Sequence, residues 1–425
     1  MPRTHVIGAG LAGLATAVSL VRRGRDVTLY EAGGHAGGRC RSYADAKLDR
    51  TIDNGNHLLL SGNRAAMRYL ADIEAADSLI GPASACFPFL DLRTGQRWLL
   101  RPNAGRLPWW ILHSGRRVPD TRVWNYLSAL RFVTAGADAT VTDCVGETGA
   151  LFERFWKPLA VGALNTPARS GAARLLWSVL RETFARGEAA CRPRIAKTGL
   201  SAAFVDPALK FLHQRGATVR FGRRLRRISY RGRRANGLDF GSERIRLREG
   251  GSVVLAVPPL AAAELVPGLS VPGETHAIVN AHFRLSKPAG MPPKLPLLGL
   301  IGGTAQWLFI RGDVASVTVS AADALAGEPA EVIARRSWND VAAALGQERE
   351  RIPRCRIVKE KRATFAQTPG QVKRRPPTGS EFANLFLAGD WIDTGLPATI
   401  ESAVRSGQMA ARVIAESGTP GAARP

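Results

Sequence analysis

The sequence predicts an α/β fold in which a Rossmann-like nucleotide-binding domain is discontinuous along the chain and carries an inserted α+β domain. Three observations predict it. A glycine-rich turn at Gly8, Gly10 and Gly13 stands between a strand pattern and a helix pattern, with an acidic residue, Glu31, about twenty residues on. A second strand, glycine turn and helix occupy the far C-terminal stretch, Asn384 to Ala415. A third α/β stretch begins near Gly199, separated from both by blocks of different texture.

The first unit explains itself position by position. His5 to Ile7 end a short buried strand. Gly8 allows a tight turn, Gly10 lets backbone approach a pyrophosphate, and Gly13 lets helix and strand pack closely. The helix from about Leu11 to Arg23, opened by Leu11 and Ala12, aims its free N–H groups and positive dipole end at that phosphate. Gly24 suits a left-handed helix end. Asp26 to Tyr30 form the next strand, and Glu31, followed by Ala32, sits at its tip to bind ribose hydroxyls. A carboxylate there repels a 2′-phosphate, which disfavours NADP. Gly37 and Gly38 permit close approach of phosphate or ring, and Arg39 supplies a cation. The run Asp53-Asn54-Gly55-Asn56-His57 follows, before the apolar Leu58 to Leu60.

The later units read in the same way. A helix from Leu200 to Gln214 leads through Gly216 to a strand, Thr218 to Phe221, then a β-rich run to Gly241 and a strand, Ser252 to Val257, ending at Pro258-Pro259. In the last unit Leu385 to Ala388 form a buried strand, with Gly389 and Asp390 at its carboxyl end, where open α/β sheets bind ligands. Asp390 can accept hydrogen bonds from a flavin's ribityl chain. Past Gly395 and Pro397 a helix starts near Ala398 and Thr399, with a small apolar face of Ile400, Ala403, Val404, Gly407, Ala411 and Ile414 at helical period. Its N-terminus suits the negative charge that a reduced flavin carries. Paired with the N-terminal turn, it makes FAD rather than NAD the expected cofactor. Residues 1–80, 199–265 and 376–417 are therefore expected to form one FAD-binding domain. Residues 81–198, rich in Trp, Leu and Arg and mostly helical in pattern, would join residues 266–375 in a substrate- and membrane-facing domain. The latter contribute strands at Ala277 to Leu285, Trp307 to Ile310 and Ala315 to Ser320 and a helix at Pro329 to Leu345. Residues 418–425 read as a flexible tail.

Composition narrows the partners. A chain of 425 residues can bury a large core. No segment is apolar enough to span a bilayer: the nearest, Val253 to Leu265, holds two prolines and Glu264. The chain enters its first strand almost at once, so no signal peptide is expected. Five scattered cysteines outline neither a disulfide framework nor a zinc site, and suit a reducing cytoplasm. No metal is expected. The net charge is +24, and eight arginines fall between Arg220 and Arg234. That patch lacks the aromatic interleaving of a single-strand binder and matches no nucleic-acid module, so an anionic membrane surface is the expected partner and specific nucleic acid is not. The segment Leu107 to Leu112, with Trp109 and Trp110 beside Arg101, Arg106, Arg116 and Arg117, suits a membrane interface.

The run from Gly8 to Arg39 resembles, at every position, the FAD-binding signature of the amine oxidase and phytoene desaturase superfamily. Ala388-Gly389-Asp390 and the helix after Pro397 resemble its second flavin motif, and Val257-Pro258-Pro259 its recurrent strand ending. Finer features resemble the hydroxysqualene dehydroxylase family: Asp53 to Leu60, Leu107 to Trp110, and the Ala388 to Ala403 ending. Asn56 stands where that family usually has Gln.

The resemblance implies an FAD-dependent oxidoreductase of squalene and hopanoid biosynthesis, acting on a C30 isoprenoid alcohol and removing its hydroxyl by hydride from reduced flavin. It implies that Leu225 backbone lies near adenine, and that Asn54, Gly55, His57, Trp391 and Pro397 face substrate. The departing hydroxide needs a donor, for which His57 is the candidate, with Asp393 or His282 as replacements. A carotenoid-type desaturase or an amine oxidase of the same superfamily is the alternative activity. A non-catalytic flavoprotein that binds lipid or nucleic acid through its arginines is the alternative class.

Overall fold

The structure is a computed structural model and describes residues 3–291 and 294–417; the expected tail lies outside the described residues. Its nucleotide layer grows from strands whose residues are buried on both faces, such as Val6, Val27, Leu29, Val254 and Leu387. Strands buried this way read as continuous apolar runs and pair in parallel. Five of them do so, in the order Thr218–Arg220, Asp26–Tyr30, Arg3–Ile7, Ser252–Leu255, Leu385–Leu387. Val6 stands opposite both Leu29 and Val254, and Val254 opposite Phe386, so three distant pieces of chain meet within one sheet. Helix Leu11–Val21 is buried on every side, because the sheet covers one flank and helix Ile400–Ser417 the other. The two helices touch closely at Gly407, where a Cβ would run into the Ala12 carbonyl.

A second sheet has seven strands in the order Cys355–Phe365, Thr275–Arg284, Val314–Val319, Trp307–Arg311, Leu297–Ile301, Phe87–Asp91, Arg97–Leu100. The last two are strands within residues 81–198, where helices and helical turns outnumber the strands. Gly95, at φ +74°, closes a tight hairpin between them, and Phe87–Asp91 is held by parallel pairing with a strand two hundred residues later in the chain. Leu297–Ile301 and Cys355–Phe365 are also additions to the expected strands. The latter reads CRIVKEKRATF and becomes a strand by pairing with Thr275–Arg284. Tertiary pairing overrides its charged composition, and its Lys and Arg guard a sheet edge.

A hairpin of Ser42–Asp45 and Arg50–Asp53 joins the layers. Asp45, fully buried, pairs with Arg356 at 2.5 Å, and Arg50 pairs with Asp313 at 2.8 Å. Leu48 and Ile52 pack against Val314. Those contacts hold Asp53 at the end of the hairpin, where the candidate site begins.

The tryptophan pair of the Leu107 to Leu112 segment divides. The four residues Trp109–Leu112 form a 3-10 turn in which Trp109 is 57% exposed and Trp110 only 5%. Trp110 meets Tyr126 edge-on at 5.5 Å between ring centres, so it is core rather than interface. Among the described residues no helix is long and apolar enough to cross a membrane.

Candidate active site

The cradle at the N-terminal turn is made by missing side chains. Gly8 sits at φ +102°, and a Cβ there would meet the Ala256 carbonyl. A Cβ on Gly13 would fall on the Gly8 carbonyl oxygen. Gly10 caps helix Leu11–Val21 with no side-chain bond and has open space beside its Cα. Gly37 lies bridged alongside Gly10, its N–H donating to the Ala9 carbonyl at 2.8 Å. The first-turn amides of Leu11, Ala12 and Gly13 thus lie beside a turn built of glycine. Glu31 accepts from the Ala9 and Gly33 amides at 2.9 and 2.8 Å, which fixes its carboxylate at the strand tip beside Ala32. A glycine cradle, a helix N-terminus and a carboxylate in this order fit an adenine dinucleotide.

Arg39, one residue past Gly38, reaches across the chain to Asp390 at 2.8 Å, joining the N-terminal and C-terminal motifs. It also donates to the Ala363 carbonyl. Gly389 N–H donates to Ser406 Oγ at 2.8 Å. Ala398 N–H donates to Gln367 Oε1 at 2.9 Å, and Thr399 Oγ1 accepts from Ser402 N–H, capping the final helix. Leu225 is buried in the cluster that holds Tyr30 and Phe240. Trp391 is 2% exposed and its indole N–H donates to the Val257 carbonyl at 2.9 Å. It closes the strand ends, and neither Trp391 nor Pro397 lines the cavities described below. Asp393 is half-exposed on the same turn, 4.0 Å from Arg375, and stands apart from those cavities too. The structure therefore gathers His57 and His282 but not Asp393.

Asp53 and Asn56 of the Asp53 to His57 run, with Arg311 and Ser316, line both of two neighbouring cavities of about 300 and 280 Å³, whereas Asn54 and Gly55 line neither. His57 lines the first with apolar Ile195, Phe309 and Met291; His282 lines the second. Asp53 is 2% exposed and pairs with Arg311 at 2.7 Å, while accepting from Ser42 Oγ and Leu200 N–H at 2.6 and 2.9 Å. Asn56 donates to Thr318 Oγ1 at 3.1 Å, and Thr318 donates to Asn280 Oδ1 at 2.8 Å, so the loop is docked on the seven-stranded sheet. Asn54 Nδ2 lies 3.5 Å from the Arg39 carbonyl, and Asn280 Nδ2 lies 3.3 Å from the Asn54 carbonyl beside Gly55. This places the run between the nucleotide cradle and the second sheet.

Burial, helped by the positive charge of Arg39, pushes the His57 imidazole down to about 4. Burial pushes His282 down to about 4 as well, and its Nδ1 lies 2.7 Å from Ser316 Oγ. Both rings are neutral at neutral pH, so neither stands as the charged imidazolium of a strong proton donor. With the Ser316 hydroxyl donating to Nδ1, His282 carries its proton on Nε2, which is buried without a hydrogen-bond partner among the described residues. Asn280, Thr318, Ser316 and Arg311 were not singled out in the sequence. The signal was present: Asn280 and His282, and Ser316 and Thr318, are polar residues two apart on otherwise apolar strands, which puts each pair on one sheet face.

These depressed values predict an acid-sensitive fold. His5, buried 3.1 Å from the Tyr30 hydroxyl, is likewise lowered to about 4. In the unfolded chain such imidazoles bind protons near 6.5, so acid favours the unfolded state between 6.5 and 4. Thermal unfolding temperature should fall across that window and not respond to these groups above it. A His57→Gln/His282→Gln double variant should show a shallower fall; an unfolding temperature that rises on acidification contradicts the assignment.

A model of flavin-containing amine oxidoreductases matches residues 11–415. The chain is 48% identical to a hydroxysqualene dehydroxylase of Sinorhizobium fredii, over 97% of this chain and 98% of that protein. It is 46% identical to a hydroxysqualene dehydroxylase of Rhodopseudomonas palustris and 44% identical to one of Zymomonas mobilis, at the same coverage. Among solved structures, a putrescine oxidase superposes with a TM-score of 0.71 at 17% identity, covering 98% of this chain and 99% of that one. The cyclohexylamine oxidase of Brevibacterium oxydans does so with a TM-score of 0.71 at 16% identity and the same coverage. At those identities the likeness is one of fold.

Proposed function

The chain belongs to the flavin-containing amine oxidoreductases and, within them, to the hydroxysqualene dehydroxylase family, and from that membership we propose that it converts hydroxysqualene to squalene as an FAD-dependent oxidoreductase. The observation that carries the reading is the near-full-length identity to three relatives of that name. The site accords with it: a cavity with apolar walls and a few convergent polar groups lies at the Asp53 to His57 run, which reaches the nucleotide cradle through Asn54 and the Arg39 carbonyl. Residues 1–80, 199–265 and 376–417 form the FAD-binding domain in this reading, and residues 81–198 and 266–375 form the substrate domain.

The reaction exchanges a C–O bond for a C–H bond: the carbon gains a hydride equivalent, and the hydroxyl gains a proton and leaves as water. FAD in its reduced form supplies the hydride equivalent. The cradle of Gly8, Gly10, Gly13, Glu31, Gly38 and Arg39 would hold the cofactor, together with Asp390, Ala398 and Thr399. Ile195, Phe309 and Met291 hold the hydrocarbon chain and exclude water. His57 and the His282–Ser316 pair, both neutral, hold the hydroxyl by hydrogen bonds rather than by ionic protonation. That is enough if the carbon is allylic, because its developing positive charge is delocalised. The enzyme works as a peripheral protein on the cytoplasmic face of an anionic membrane, where so apolar a substrate dissolves.

The test is anaerobic single turnover. Photoreduced holoenzyme mixed with hydroxysqualene should regain its yellow oxidised-flavin absorbance and release one squalene per flavin. No reoxidation would sink the dehydroxylase reading, and desaturated products from oxidised enzyme would replace it with a desaturase.

A further inference from the structure

Of the ten large apolar side chains exposed among the described residues, seven lie between residues 107 and 133. Leu107, Trp109 and Leu112 come from the first 3-10 turn and its approach. The rest come from a longer 3-10 helix, Val123–Phe132, and its C-cap, Val133. A 3-10 helix eclipses residues three apart. Tyr126 and Phe132 therefore face the core together, with half-buried Ala129 between them. Trp124, Leu127, Leu130 and Val133, on the same spacing, form the opposite ridge, each 59–65% exposed. Two of the helix's three faces are apolar, and the outward ridge has no partner among the described residues. Such clusters mark interaction surfaces.

Charge identifies the partner. Residues 101–135 hold six arginines and one acid, Asp120, which is tied to Arg154 at 2.6 Å. Arg101, Arg106, Arg116, Arg122 and Arg131 are exposed, and the Arg122 guanidinium lies over the Trp124 ring at 5.5 Å. A self-paired interface would set these arginines against their own copies. An anionic bilayer satisfies both features: arginines at phosphate depth, tryptophan at the interface and leucine among the acyl chains. We propose that the ridge Trp124-Leu127-Leu130-Val133, with Leu107, Trp109 and Leu112, inserts into the interface of an anionic phospholipid bilayer. This rests on the reading of a hydrocarbon-soluble substrate, and gives the surface a function: the enzyme takes substrate from the bilayer rather than from water.

Flotation of the full-length holoprotein with phosphatidylcholine vesicles, with and without phosphatidylglycerol, tests it. The protein should float with the anionic vesicles and release at high salt. The variant Trp124→Ser/Leu127→Ser/Leu130→Ser, which touches no cofactor or cavity residue, should keep its flavin and lose vesicle partitioning by about tenfold. It should lose turnover of hydroxysqualene dissolved in vesicles and keep turnover of hydroxysqualene in detergent. A variant that floats as well as the wild type overturns the proposal. So does a wild-type dimer that the same substitutions dissociate. A wild type that floats yet has no turnover in detergent counts against the dehydroxylase reading and leaves the docking surface standing.

Discussion

Gly13→Val is expected to yield a protein without flavin. The new Cβ would fall on the Gly8 carbonyl oxygen, and the Ala256 side chain lies 3.3 Å away on the other side. Neither neighbour is a flexible tip. Gly8 is the turn itself and Ala256 follows the strand Ser252–Leu255. Helix Leu11–Val21 cannot retreat, because helix Ile400–Ser417 crosses it so closely that Gly407 also has no room for a Cβ. The substitution must therefore separate strand from helix or open the turn, and either destroys the row of first-turn amides. The cost belongs to the overpacking class, about 1–3 kcal/mol or more, on top of the lost cofactor. Gly10→Ala is the informative control. Its Cβ meets nothing within 4 Å among the described residues, so it should fold with little loss of stability, yet hold flavin weakly if the pyrophosphate approaches beside Gly10 as the glycine fingerprint requires. Flavin absorbance per protein and thermal unfolding separate the two. Gly13→Val with full flavin and an unchanged melting temperature would remove the turn from the cofactor site.

What the sequence made legible, and what it hid, follows from the range of the interactions. The strand, turn and helix of residues 3–21 are local and were read nearly to the residue, as were Asp26–Tyr30 and the helix after Thr399. The strand Phe87–Asp91 was missed because its partner, Leu297–Ile301, is remote in the chain. Cys355–Phe365 was missed because its composition argues against a strand, and only the neighbouring edge makes it one. The site divided along the same line. His57 was visible in its own run, with glycine and asparagine around it. Its neutrality was not, since that comes from burial and from Arg39, which the fold brings near. The ridge of residues 124–133 was hidden for another reason: its apolar residues recur every third position, the period of neither an α-helix nor a strand.

Arg375 is the sharpest case of a residue with no sequence signal. It is one arginine in a chain rich in them, between Arg374 and Pro376. In the fold it is 6% exposed and lies under the turn that carries the second flavin motif. Its guanidinium donates to the carbonyls of Leu396 at 2.8 Å, Asp390 at 3.2 Å and Trp391 at 3.4 Å, and also to that of Ile392. It stacks over Phe365 at 5.3 Å, and its nearest carboxylate is Asp393, 4.0 Å away. Four backbone carbonyls of one turn thus converge on a single side chain, which takes the place of the ladder that a loop lacks. Arg375→Met keeps much of the stem and removes every donor. The buried carbonyls it leaves cost about 1–3 kcal/mol for each that finds no new partner, so a loss of about 3 kcal/mol or more is expected. Lysine cannot restore it, because one ammonium cannot reach the spread that the planar fork spans. The turn also holds Asp390, whose ion pair with Arg39 links the two flavin motifs, so flavin should be lost along with stability. Urea unfolding and flavin content measure both effects. If Arg375→Met loses stability but keeps its flavin fully, the clamp is structural and Asp390 is positioned by Arg39 alone; if Arg375→Lys matches the wild type in both, the four-carbonyl account is wrong.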